Sequence, residues 1–160
     1  MKDFISHRYI EKFRAANTTL GLMKTMNQEV NTNDISGSHQ EITRILARSF
    51  KRGILLKISE DSFLCSYKNI DVNFFHSEVE TESCNFAYRN GCNSGRDTNT
   101  LRNSKAIFLP IHFQNKTIGV VEFSCIEDKF SVTEKLIFYQ IEASLAFIIT
   151  LLESQKISKK

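Results

Sequence analysis

A chain of 160 residues with 41% apolar and 24% charged side chains is one domain's worth of sequence, able to bury a core without disulfide or metal staples. Its net charge of +3 is too mild for a protein whose main partner is nucleic acid, so no such partner is expected. Cys65, Cys84, Cys92 and Cys125 form no Cys-x-x-Cys pair and have no histidine at zinc-ligand spacing. Free thiols, no metal, no cofactor and the reducing cytoplasm are the expectation.

In chain order, the N-terminus lacks the apolar segment of a secretory signal. A first helix is predicted over about 4–30, with Phe13, Ala16, Leu20 and Met23 on one stripe and Thr19, Met26 and Val30 beside it. Its start, 1–13, holds Lys2, Arg8 and Lys12 against Asp3 and Glu11. That charge suits a juxtamembrane helix start on the cytoplasmic side, and equally a charged helix face in solution. After a turn-rich stretch, Ser38-His-Gln-Glu41 reads as a capping box opening a helix whose inner side is Ile42, Ile45, Leu46 and Phe50.

Two short apolar runs, 54–58 and 63–67, suit an antiparallel hairpin around Ser59-Glu-Asp-Ser62. Residues 78–90 read as a short helix with Val79, Phe86 and Ala87 inward, and 91–101 as a loop of glycine and small polar residues. Acidic side chains dominate 53–88, whereas 89–105 holds Arg89, Arg96, Arg102 and Lys105 against Asp97 alone.

The clearest hairpin joins 106–113 to 117–125. A two-residue turn at Asn115-Lys116 would put Ile107, Leu109, Ile111, Phe113, Ile118 and Val120 on one face. Phe108, Pro110, His112, Val121, Phe123 and Cys125 would then lie on the other. Two apolar faces predict a sheet covered on both sides. Pro110 cannot donate to a ladder, so its strand should bulge or lie at an edge there.

Ser131-Val-Thr-Glu134 is a second capping box, opening a helix over about 131–157. Gln140, Glu142 and Ser144 interrupt its greasiest run, which falls short of the ~20 apolar residues of a membrane span. The helix carries two apolar stripes: Val132, Leu136, Tyr139, Ala143 and Phe147, and Ile137, Ile141, Leu145, Ile148 and Leu152. A surface helix needs one such stripe. The second calls for a neighbour, either the first helix or the same helix of a second subunit, so the terminal helices are the expected homodimer contact.

Several segments together resemble the GAF region of KdpD-type sensor histidine kinases. They are Arg14-Ala-Ala-Asn-Thr-Thr-Leu20, Gly91 with Ser94-Gly-Arg-Asp-Thr-Asn-Thr-Leu101, Ile107-Phe-Leu-Pro-Ile111 and Ile118-Gly-Val-Val121. Asp97 stands where that family usually has a second glycine, and Arg102 where a proline often follows the leucine. The resemblance implies an α+β, three-layer GAF-like sandwich filling 1–160 as a single sensory domain, with 158–160 a tail. Its central antiparallel sheet would have the terminal helices on one face and a short helix with loops over the other. It also implies a non-catalytic, cytoplasmic signal relay within a two-component, osmosensing kinase that regulates potassium transport. Membrane and kinase domains would be its partners in the parent protein, because these residues hold no phosphoacceptor-histidine motif and no ATP-binding box.

Within the 94–101 loop, Gly95 allows close backbone approach, Arg96 supplies charge, and Thr98 and Thr100 offer hydroxyls. With His112 they form a candidate set for a small-molecule ligand, an anion or a nucleotide. Turn chemistry alone accounts for the same loop residues. A third reading is a reductase of the methionine-sulfoxide kind, for which Cys84 and Cys92 are the nearest cysteine pair; nothing around them matches that family's pattern.

Overall fold

Two apolar sheet faces need two covers, and both are present. The computed structural model describes residues 18–31, 33–68 and 71–158. A first helix α1, described over 18–29, leads into α2 (Ile35–Phe50), β1 (Ile54–Ile58) and β2 (Asp61–Cys65). A 3-10 turn at Val72–His76 precedes α3 (Glu78–Asn90), followed by β3 (Ser94–Gly95), β4 (Ala106–Phe113), β5 (Lys116–Ser124) and α4 (Val132–Ser158). The strands form one antiparallel sheet in the order β2-β1-β5-β4-β3. Helices α1, α2 and α4 share a large core with one sheet face, while α3 and the 3-10 turn close a smaller one on the other. This is the expected α+β three-layer sandwich.

The expected inner stripe of α1 rotates. Thr19, Leu22 and Met26 are buried, and Leu20 is 65% exposed. Phe13, Ala16 and the 1–13 helix start lie outside the described residues. Helix α2 begins earlier than the Ser38 box predicted, because Asp34 takes the cap and its Oδ1 accepts from the Gly37 amide at 2.9 Å. Ser38 instead exchanges two hydrogen bonds with the Asn31 backbone.

In the first hairpin the turn is Ser59-Glu60, so β2 starts two residues before its predicted place. In the second, the turn is Gln114-Asn115, both at positive φ, the geometry that suits strand twist. Moving a two-residue turn by one position keeps the predicted pairing parity, so Phe113 and Ile118 still meet the large core; the register shift between Ile111 and His112 then exchanges the faces of β5 from Gly119 onward. Ile107, Leu109 and Ile111 therefore share the large core with Val121, Phe123 and Cys125, while Phe108 shares the smaller one with Val120. Strand β3 pairs only with Ile107 and Phe108, which leaves β4 unpaired on that side at Pro110. A register shift follows between Ile111 and His112.

The capping box of α4 forms as read. The Ser131 amide donates to Glu134 Oε2 at 2.7 Å, and the Glu134 amide to Ser131 Oγ at 3.1 Å. Contrary to the reading of its polar interruptions, α4 is long and apolar enough to cross a membrane by length and composition. One of its stripes is used in the core, through Ile141, Leu145, Ile148 and Leu152. The other faces outward, with Val132 84%, Tyr139 49% and Phe147 60% exposed.

Arg52 locks these layers at one corner. Its Nε donates to Glu134 Oε1 at 2.6 Å, Nη1 to the Ser124 and Asp128 carbonyls at 2.8 and 2.9 Å, and Nη2 to the Lys129 carbonyl at 2.8 Å and Glu134 Oε2 at 3.1 Å. All five guanidinium N–H groups are thereby used, over the ring of Phe130. Arg52→Met leaves Glu134 and three carbonyls without their donor and should lower unfolding free energy by about 3–5 kcal/mol. Arg52→Lys should recover only part of this, having three donors and no fork. Urea unfolding of both variants measures the difference.

Candidate functional site

The 94–101 loop closes on itself. Gly95 has φ +91°, and a Cβ there would collide with the Ala106 carbonyl and the Phe108 ring. Its amide donates to the Thr100 carbonyl at 2.9 Å. The Thr98 hydroxyl lies 2.7 Å from the Gly95 carbonyl and 2.8 Å from that of Thr100, and accepts from the Thr100 amide at 3.2 Å. Arg96 Nη1 donates to the Cys125 carbonyl at 2.5 Å, across to the end of β5. Asp97 adopts φ +59°, a left-handed conformation that aspartate tolerates better than most residues. A carboxylate can therefore stand where the resembled family has glycine. Its nearest cation is Lys129 at 3.9 Å, not the adjacent Arg96.

His112 sits at the far end of β4 from the residues that pair with this loop. Its Nδ1 lies 2.9 Å from Glu142 Oε1, and its Nε2 lies 3.1 Å from the Gly91 carbonyl. The structure thus gathers Gly95, Arg96, Thr98 and Thr100 into one hydrogen-bonded loop and places His112 elsewhere, beside an open depression with Tyr88, Arg89 and Lys116.

The smaller core holds chemistry that the sequence reading passed over. Ser94, Phe108, Glu122 and Leu55 stand side by side across β3, β4, β5 and β1, and residues directly opposite in a ladder point to the same face. Glu122 is thus at the centre of the sheet beneath α3, and it is 1% exposed. Its Oε1 has no hydrogen-bond partner. Burial, reinforced by the nearby Glu80 carboxylate, holds the Glu122 carboxyl well above the usual carboxylate range.

Helix α3 covers this row with Glu80, Ser83, Cys84 and Ala87, not with Val79, which is 43% exposed. Glu80 is itself buried but satisfied: Oε1 accepts from the Lys105 amide at 2.8 Å, and Oε2 from the Ser104 hydroxyl. Ser94 Oγ donates to the Ser83 carbonyl at 2.7 Å, whereas the Ser83 hydroxyl, fully buried, finds no partner. Lys57 Nζ turns aside to Asn85 Oδ1 at 3.1 Å. One signal for this layer was available. Val120-Val121-Glu122-Phe123 puts a carboxylate inside a strand apolar on both faces, so no side of it meets water.

Cys84 lies in the same layer, where burial first and Glu122 second push its thiol up to about 12. Burial likewise raises Cys125 to about 11. Both shifts run opposite to the lowered pKa of a thiolate nucleophile. Cys92, the partner proposed for Cys84, is exposed, and all four cysteines are free. Among the described residues no three or more His, Cys, Asp or Glu side chains stand together as metal ligands.

A central antiparallel sheet with terminal helices on one face and a short helix over the other is the GAF fold. The chain superposes on the GAF domain of the potassium sensor histidine kinase KdpD from Escherichia coli with a TM-score of 0.62 and 14% identity, covering 91% of this chain and 99% of that one. The GAF domain from an Acinetobacter phosphoenolpyruvate-protein phosphotransferase matches with a TM-score of 0.61 and 14% identity, over 88% and 96% of the two chains. No family model and no curated protein matches the sequence. At such identity the likeness is one of fold.

A buried carboxyl with a raised pKa lowers stability as pH rises. Between the unfolded value near 4.3 and the higher folded value, the native state holds a proton that the unfolded state has lost. Each pH unit in that window lowers stability by about 1.4 kcal/mol. Glu122→Gln removes this dependence, so its melting temperature should exceed the wild type's by a margin that widens from pH 5 to pH 8. A margin that is constant or narrows with pH would show Glu122 to be ionised in the native protein.

Proposed function

We propose that the chain is a non-catalytic sensory module that works as a homodimer through its terminal helices, relaying an input at the sheet to a kinase domain beyond α4. The observation that carries this reading is the outward stripe of α4. Val132, Tyr139, Phe147, Leu151 and Ile157 are exposed along one helix whose opposite side is already committed to the core. A helix apolar on two sides is what a shared interface requires. Helices at both ends of a domain can carry a small slide or rotation into neighbouring domains.

The particular setting we propose is a cytoplasmic KdpD-like sensor histidine kinase controlling potassium transport. It is supported by the Gly95-Arg96-x-Thr98-x-Thr100-Leu101 segment with its flanking strands. Asp97 adopts φ +59°, a conformation that glycine also takes readily, which is compatible with this reading. In that setting the membrane and kinase domains are supplied by the parent protein.

The stripe is tested by mass. In analytical ultracentrifugation the wild type should sediment at twice the 18.4 kDa chain mass, and Phe147→Glu as a folded monomer. A wild type that stays monomeric at the highest soluble concentration would contradict the dimer.

A further inference from the structure

Two orphaned polar atoms lie in one buried layer. Glu122 Oε1 and Ser83 Oγ both lack a hydrogen-bond partner, and both residues sit between α3 and the sheet, 1% and 0% exposed. The large majority of buried polar atoms are paired, so two exceptions in one layer ask for a reason. His39 Nε2 and Thr150 Oγ1 also lack partners, but each belongs to the other face, on α2 and α4, with no buried carboxylate beside it. Among the described residues, the α3 layer is where unpaired acceptors stand beside two buried carboxyl groups. Glu80 and Glu122 are both buried there, and Lys57, the cation on the neighbouring strand, is bonded to Asn85.

We propose that the layer between α3 and the sheet binds a small organic cation with paired N–H donors, an amidinium or guanidinium group, one donor going to the Glu122 carboxylate and the other to the Ser83 hydroxyl. The chemistry follows from what remains unused. Glu80 has both oxygens engaged by Ser104 and Lys105, leaving a single free carboxylate. That is too few ligands for a hard metal ion, which takes six or more oxygens, and suits one charge-assisted fork. Phe108 and Leu55 flank Glu122 on the sheet, and α3 contributes the small side chains of Ser83, Cys84 and Ala87.

The apolar core of this layer is the smaller of the two, and polar ties also hold α3: Glu80 to Ser104 and Lys105, Ser94 to Ser83, and Lys57 to Asn85. Segments with few buried apolar contacts open at low free-energy cost. The site deepens the sensory reading, giving it an input, but binding here is read out independently of any response in α4.

The test is a titration of the isotopically labelled full chain with acetamidinium chloride, followed by amide NMR shifts. Sodium chloride controls for ionic strength, and acetamide is the neutral isostere. Saturable shifts are expected at Ser83, Cys84, Phe108 and Glu122 with acetamidinium alone, at millimolar strength for so small a ligand. Affinity should rise with pH, because binding takes the ionised form of Glu122; Glu80, Cys84, Tyr88 and Lys57 are the other titratable groups facing this layer. Glu122→Gln should weaken binding by about tenfold or more, the loss of one charge-assisted hydrogen bond, and Ser83→Ala by a smaller factor. Retained chemical-shift dispersion shows that both variants fold. Shifts that fail to saturate, that acetamide reproduces, or that survive in Glu122→Gln would overturn the proposal and leave a neutral carboxyl, or one bridged by water. Any of these outcomes leaves the dimer test of the sensory reading unaffected.

Discussion

Arg52 sits where four segments meet, and the position of each depends on it. Helix α2 ends at Lys51 in a left-handed turn, which delivers Arg52 into the corner between the end of β5, the 125–131 connection and the start of α4. The guanidinium satisfies the Ser124, Asp128 and Lys129 carbonyls there while holding Glu134. Glu134 in turn caps α4 through Ser131, so one ion pair fixes both where α4 begins and how it leaves the sheet. Beside it, Phe130 packs against Phe50 and Phe123, and Phe123 meets Phe138 edge-on. The corner is rigid, and a displacement of β5 must carry the first turn of α4 with it.

The two faces of the sheet differ in kind. The face toward α1, α2 and α4 is a broad apolar core, and its buried His39 remains neutral, burial first and Lys156 second lowering its pKa to about 4. The face toward α3 is small and carries two buried carboxylates. Glu122 belongs to β5, and its neighbour in sequence, Phe123, packs in the opposite core. A change of charge or contact at Glu122 therefore acts on the same strand that Arg52 couples to α4. Stability alone does not favour a carboxyl at this position, since an apolar side chain of similar size avoids the desolvation cost.

The layer order was legible because it rests on periodicity, and so were the α4 cap, whose partners are three residues apart, and the unpaired edge at Pro110. What failed turned on short offsets of one to four residues in caps, turns and register. Ser38 followed by Glu41 has the form of a cap, but Asp34 reaches the helix start first. Gln114 carries no residue-type signal for its left-handed conformation, and the one-residue register shift between Ile111 and His112 exchanged the faces of β5 from Gly119 onward. The Arg52 network is invisible in the sequence because its partners lie more than seventy residues away. In the candidate site, the 94–101 loop drew attention through its composition, and that composition serves its own closure. Glu122 was overlooked as one charge in an apolar strand, though two-sided burial of that strand made it the more informative residue.

If the proposed input at the α3 layer and the proposed output at the outer stripe of α4 are joined through β5 and the Arg52 corner, a ligand held in the layer changes the spacing of the α4 helices. A pair of nitroxide labels at Ser154→Cys, one on each protomer, with Cys65 and Cys92 replaced by serine, would report the spacing of the α4 helices by pulsed electron paramagnetic resonance. With acetamidinium at saturation the distance distribution should shift in the wild-type site and stay unchanged in Glu122→Gln. An identical distribution in the wild type, with the α3 layer shown by NMR to be occupied, would contradict the coupling.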